Sequence, residues 1–150
     1  MPVVRDDPYG RFQFLVGLGA GVDSDGPAAG FSEVSGIGLE IEYAEYRTGA
    51  DKRATPRKIP GLHRVSDVTL KRGVIGSSDL YDWLRTVADG TPSPRDVTIT
   101  MLDEARSPVV VVRLIRAQPR RWVGPTLSAK GGSEVAMEEL VLTAEGLHLE

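Results

Sequence analysis

Few residues of this chain could do chemistry, and none stands in a pattern that would let it. His63 and His148 are far apart, and neither has a second histidine at metal-ligand spacing. There is no cysteine, which removes a thiolate metal site, a cysteine nucleophile and a disulfide framework, and fits a reducing compartment. Ser77-Ser78-Asp79 sets hydroxyls beside a carboxylate, but no GxSxG elbow surrounds them, and a helix cap is the expected role. Glu138 and Glu139 fall on opposite faces of a strand and cannot act as one acid–base pair. Gly17-Leu18-Gly19-Ala20-Gly21 has the glycines of a dinucleotide loop, yet Val22–Gly30 cannot open the helix that would hold a pyrophosphate. Asp23, Asp25 and Gly26 hint at a calcium loop, but the glycine comes too early and the closing glutamate is missing. Catalytic residues, metal ligands and cofactor are all expected to be absent.

What remains is contact chemistry. Thr48–Leu62 interrupts an otherwise strand-like pattern with Gly49, Pro56, Pro60 and Gly61, and carries Lys52, Arg53, Arg57 and Lys58 against one acid, Asp51. A segment of this length inside a compact domain is usually functional or disordered. Phosphate contact is one reading. It is disfavoured because the chain has a net charge of −3 and this segment has no aromatic residue to interleave with its bases. A solvated loop and a contact between subunits are the others.

The elements that must position this segment are mostly strands. Arg11–Leu18 alternates Phe12, Phe14, Val16 and Leu18 with Arg11, Gln13 and Gly17, Gly19–Gly30 reads as a connecting turn, and Phe31–Ser35 is a short strand. Leu39–Arg47 puts Leu39, Ile41 and Tyr43 on one face and Glu40 and Glu42 on the other. Val65–Lys71 resumes strand spacing. Leu80, Trp83, Leu84 and Val87 then recur at helical spacing after the serine cap, with Asp79 and Asp82 near the positive helix end and Gly90 at the expected left-handed stop. Val97–Leu102 and Val109–Ala117 form a hairpin around Asp103–Pro108, and Trp122–Lys130 and Glu134–Leu149 complete about eight strands. That inventory calls for a barrel or two packed sheets, in one domain spanning residues 1–150.

Charge is blocked along the chain. Ala105–Ser133 has six bases and no acid, whereas Glu134–Glu150 has five acids and neither lysine nor arginine. Cross-strand pairing within the chain and complementarity between subunits both account for this. Val109–Val112 and Val135–Ala144 are apolar on both faces, so a second sheet or another subunit must cover them. The N-terminus lacks a signal-peptide core and no run is long enough to span a membrane, so cytoplasmic assembly without stable membrane association is expected.

The wording of Thr69–Leu84, TLKRGVIGSSDLYDWL, resembles the inner tube protein of contractile phage tails and phage-tail-like contractile injection systems. The resemblance extends through Asp7-Pro8-Tyr9, Ala29–Gly36, Lys58–Leu62, Arg95–Ile99, Trp122–Pro125 and Glu138–Gly146, in order along most of the chain. It implies a mainly β fold, two packed antiparallel sheets forming a barrel-like sandwich with one flanking α-helix. It also implies six-copy rings stacked into a hollow tube, partnered by sheath, baseplate and tube-initiator proteins and conducting cargo or DNA. Within that frame residues 48–62 become an inter-ring loop with Lys52, Arg53, Arg57, Lys58 and Pro60 as its contacts. Leu80, Trp83 and Leu84 anchor the helix, and Glu40, Glu42, Glu139 and Glu145 are candidates for the lumen face. A secreted ring-forming protein that carries effectors, a baseplate paralogue that initiates the tube, and a small β-barrel binding module are the alternative readings.

Overall fold

The computed structural model describes residues 4–19 and 30–150. In chain order the elements are β1 (Phe14–Gly17), β2 (Glu33–Ser35), β3 (Leu39–Tyr46), β4 (Arg57–Val65), β5 (Val68–Gly73), α1 (Asp79–Ala88), β6 (Arg95–Leu102), β7 (Pro108–Val123), β8 (Met137–Thr143) and β9 (Gly146–Leu149). The strand order β1-β6-β7-β8-β5-β2, with β9 also on β7, is antiparallel throughout; β3 and β4 pair only with each other.

The long strand β7 divides this array into two sheets. Its first part pairs with β6 and β9, and its last part with β8. Between the two parts the register slips, and Arg116 takes a left-handed backbone (φ 50) with its N–H donating to Asp96 Oδ1 at 3.1 Å. An extra residue of this kind bends a strand and raises its twist, which lets one strand serve two sheets. Side chains facing inward from both sheets meet in one core: Val16, Val97 and Leu114 from one, Leu70, Leu140 and Leu142 from the other, all at most 1% exposed. Burying such residues gives roughly 25 cal/mol for each Å² of apolar surface removed from water.

Helix α1 docks on this core through Leu80 and Trp83, while Leu84 and Val87 are half-buried. The Trp83 indole N–H donates to the Ser93 carbonyl at 2.8 Å, so the buried ring leaves no orphan donor. Gly90 has φ 102 and ends the helix as expected. The serine cap is realised differently. Ser78 stands at the N-cap without a side-chain capping bond, because its hydroxyl donates to Asp82 Oδ2 at 2.8 Å.

Several expected boundaries move. The strands expected at 109–117 and 122–130 are replaced by the single strand β7, because the residues between them form a bulge at 119–121 that keeps the ladder going. Residues 124–136 form no strand, so Val135 is exposed and the two-sided apolar run reduces to β8, with Leu140 and Leu142 inside. In the valine run, Val109 and Val112 are buried and Val110 and Val111 half-buried. Most of the expected turn at 19–30, including Asp23, Asp25 and Gly26, lies outside the described residues. The basic and acidic blocks meet within the chain, where Arg113 pairs with Glu150 at 3.4 Å and Arg116 with Glu145 at 3.1 Å.

Candidate functional site

The basic segment sits on a projecting ribbon. Every residue of β3 is exposed, and in β4 only Val65 is buried. The expected loop at 48–62 is therefore shorter than its composition suggested. Arg57–Leu62 is strand, with Pro60 opposite Tyr43, and the connection is residues 47–56. Proline is tolerated here because the ribbon is two-stranded and its outer edge needs no ladder donor.

Register gives the ribbon two unlike faces. One carries Leu39, Ile41 and Tyr43, opposite Val65, His63 and Pro60. These three apolar side chains are 53%, 40% and 56% exposed. The other carries Glu40 opposite Arg64 and Ala44 opposite Ile59, with Glu42 ion-paired to Arg64. A β-bulge at 61–62 separates the halves and lets the ribbon twist.

The tip is organised around one carboxylate. Asp51 Oδ2 accepts the Thr48 N–H at 3.0 Å, and Asp51 Oδ1 accepts from Arg57 at 3.0 Å. Arg47 donates to the Arg53 carbonyl at 3.0 Å and the Asp51 carbonyl at 3.3 Å. Farther down, Lys58 donates to Glu45 at 2.5 Å, which holds the Glu45 carboxyl below its ordinary range. Of the four bases singled out, Arg57 and Lys58 thus have acidic partners in the chain. Lys52 and Arg53 form no ion pair among the described residues and present their charge outward.

The candidate lumen carboxylates are not gathered in one place. Glu40 and Glu42 share the charged ribbon face. Glu139 lies on the outer face of β8, 3.6 Å from Lys71, which also holds Glu33 at 3.2 Å. Glu145 falls in the turn between β8 and β9 rather than in a strand, because β8 ends at Thr143. Three of the four, Glu42, Glu139 and Glu145, carry a basic partner.

One charged cluster was not anticipated. Arg72 is fully buried, and its Nε–H donates to Glu138 Oε1 at 2.6 Å while its terminal nitrogens hold Asp79. The Trp122 indole N–H donates to the second Glu138 oxygen at 3.2 Å. The signal was in the alternation: Arg72 follows Val68 and Leu70 on the inner face of β5, and Glu138 precedes Leu140 and Leu142 on that of β8. Among the described residues no group of histidine, cysteine, aspartate or glutamate is placed to hold a metal, and no helix is long and apolar enough to cross a membrane.

Residues 10–148 match the family model described as T4-like virus tail tube protein gp19. Among solved structures, the chain is similar to one in the PVC sheath-tube complex of an extracellular contractile injection system in its extended state. Identity is 25%, TM-score 0.81, and coverage 97% of this chain and 93% of that one. A chain of the sheath/tube terminator of the same system gives 25% identity, TM-score 0.82, and coverage of 98% and 99%. The fold extends to Hcp1 from Flavobacterium johnsoniae, at 11% identity, TM-score 0.55, and coverage of 92% and 94%. No curated protein sequence gives a match.

Proposed function

The chain belongs to the T4-like virus tail tube protein gp19 family, a structural subunit of the tube of a phage tail or phage-tail-like injection particle, and from that premise we propose how it assembles. Copies associate head to tail into closed six-membered rings, and the rings stack into a hollow tube. A rotation that closes gives a ring, and a translation between rings gives the filament. The role is structural and non-enzymatic. Sheath protein surrounds the tube, baseplate and initiator proteins nucleate it, and cargo or DNA passes through its bore. Assembly takes place in the cytoplasm, from a chain that forms a single tube domain.

The observation that carries the assembly is the ribbon. A two-stranded hairpin is at best marginally stable alone in water, yet this one projects with both faces exposed and three large apolar side chains on one of them. Another subunit is the cover that a tube supplies. The tip, with Lys52 and Arg53 outward, is the inter-ring contact, and Arg57, Lys58 and Pro60 shape it. The charged ribbon face with Glu40 and Glu42 is directed to the bore, along with Glu139 and Glu145. Their basic partners make that lining close to balanced in charge.

The test is negative-stain electron microscopy with light scattering across concentration, on the wild type and on Lys52→Glu/Arg53→Glu. Six-fold rings and stacks are expected from the wild type, seeded with preformed tube ends if it stays monomeric. The variant should keep the wild-type melting midpoint and rings but lose stacking. Unimpaired stacking by a folded variant would rule out the tip as the inter-ring contact, and a wild type that never assembles on seeds would overturn the tube reading. The secreted effector-carrying ring is the second reading, favoured by the fold likeness to Hcp1. It predicts rings without long seeded tubes.

A further inference from the structure

The buried ionic cluster is expensive for a structural subunit. Removing charges from water costs several kcal/mol for each ion, and replacing such a cluster with apolar residues is often neutral or stabilising. Its placement suggests what it is for. Arg72 lies on β5, Glu138 on β8, and Asp79 in the first turn of α1, so one guanidinium ties the helix N-terminus to the sheet. Ser77 adds to the tie: its hydroxyl donates to Asp79 Oδ1 at 2.9 Å. On β7, Trp122 donates to Glu138 and packs edge-on against Tyr81 of the helix with ring centroids 5.4 Å apart. Phe31 lies beside the Arg72 guanidinium at 5.7 Å. From β6, Arg95 acts on Asp79 through its charge and stacks on Trp83. Apart from this network the helix is held by the burial of Leu80 and Trp83, by half-buried Leu84 and Val87 and by the Trp83 hydrogen bond to Ser93, whereas the sheets are held by strand ladders.

We propose that Arg72, Asp79 and Glu138 form an acid-released latch for helix α1. With both carboxylates ionised, Arg72 is compensated and the helix N-terminus is fixed. When Asp79 takes up a proton it no longer meets the guanidinium as an anion, the tie that fixes the helix N-terminus weakens, and the helix end leaves and admits water. Burial works against the Asp79 charge, but its bonds from Arg72 and Ser77 outweigh this and hold its carboxyl below the ordinary range. The Asp79 contribution is therefore complete above its unfolded value, about 3.9, and is lost as pH falls through the lower folded value. Release belongs to the range below about pH 4.

The experiment is hydrogen exchange by mass spectrometry on the full chain from pH 7 to pH 2, with rates corrected for intrinsic exchange. Helix protection should fall at the acid end, while β6 and β7 keep theirs. In Asp79→Asn/Glu138→Gln, helix protection should already be low at pH 7 and change little with pH. If the double variant does not fold, Asp79→Asn alone, at the less buried end of the cluster, should show a smaller acid step than wild type. Simultaneous loss of helix and sheet protection in the wild type would overturn the latch. So would a variant that keeps the full wild-type pH profile.

Discussion

The Arg95 guanidinium lies 4.4 Å from the centre of the Trp83 ring and forms a lid over the side chain that plugs helix α1 into the core. Burial pulls the Arg95 pKa down, so this cation is held by the aromatic face while partly removed from water. One ring thus gives the helix an apolar plug, a hydrogen bond to Ser93 and a cationic cover. Trp83→Ala should cost roughly 3–5 kcal/mol, read as a lower urea midpoint at unchanged slope. An unaltered midpoint would show that the helix is not docked through this ring.

Gly36 is fixed by close approach. Its φ is 85, and a Cβ there would stand 2.3 Å from the Asp67 carbonyl oxygen. Gly36→Ala is expected to destabilise by about 2 kcal/mol or more through strain and clash together. The comparison is Gly76→Ala, also at positive φ but with open space around the added Cβ. Thermal melts should rank Gly36→Ala as the worse of the two.

The N-terminal segment is clasped to the β6–β7 turn. Arg5 donates to both Glu104 oxygens, at 3.1 and 2.8 Å, and stacks on Tyr9. The hydrogen bond from Arg5 lowers the Glu104 pKa to about 2. Its contribution to stability is present above the ordinary carboxylate range and fades as pH falls through that value. Exposure and salt screening keep the effect small. Carboxyl NMR should report the low pKa in wild type and an ordinary one in Arg5→Gln. A normal value in wild type would show that the clasp is not populated.

The apolar ribbon face separates folding from assembly. Ile41→Glu/Tyr43→Lys changes exposed residues only, so the monomer should melt within about 0.5 kcal/mol of wild type. Ring formation should fall at least tenfold in light scattering at matched concentration. Normal rings from this variant would mean that the face stays solvated in the assembly.

Much of this was legible in residue order. Period-two alternation marked β1, β3, β5 and β6, the spacing of Leu80, Trp83, Leu84 and Val87 marked the helix, and Gly90 marked its end. These signals are local, because a side chain's face follows from its position in one element. The ordered wording from Asp7 to Leu149 also pointed to the family that the match over residues 10–148 establishes. The long-range relations were not legible. Composition made Arg57–Leu62 look like loop, since proline, glycine and bases in one run read as irregular; only pairing with β3 makes it a strand. The bulge at Arg116, which bends one strand through two sheets, leaves no mark in the sequence because arginine rarely adopts a left-handed backbone. Arg72 and Glu138 stand 66 positions apart, and their charge argued for the surface. Antiparallel pairing of β5 with β8 set them side by side, where each carries the other's burial. Sequence determined which faces are apolar; the tertiary structure decided which charges meet, since that depends on contacts between elements distant along the chain.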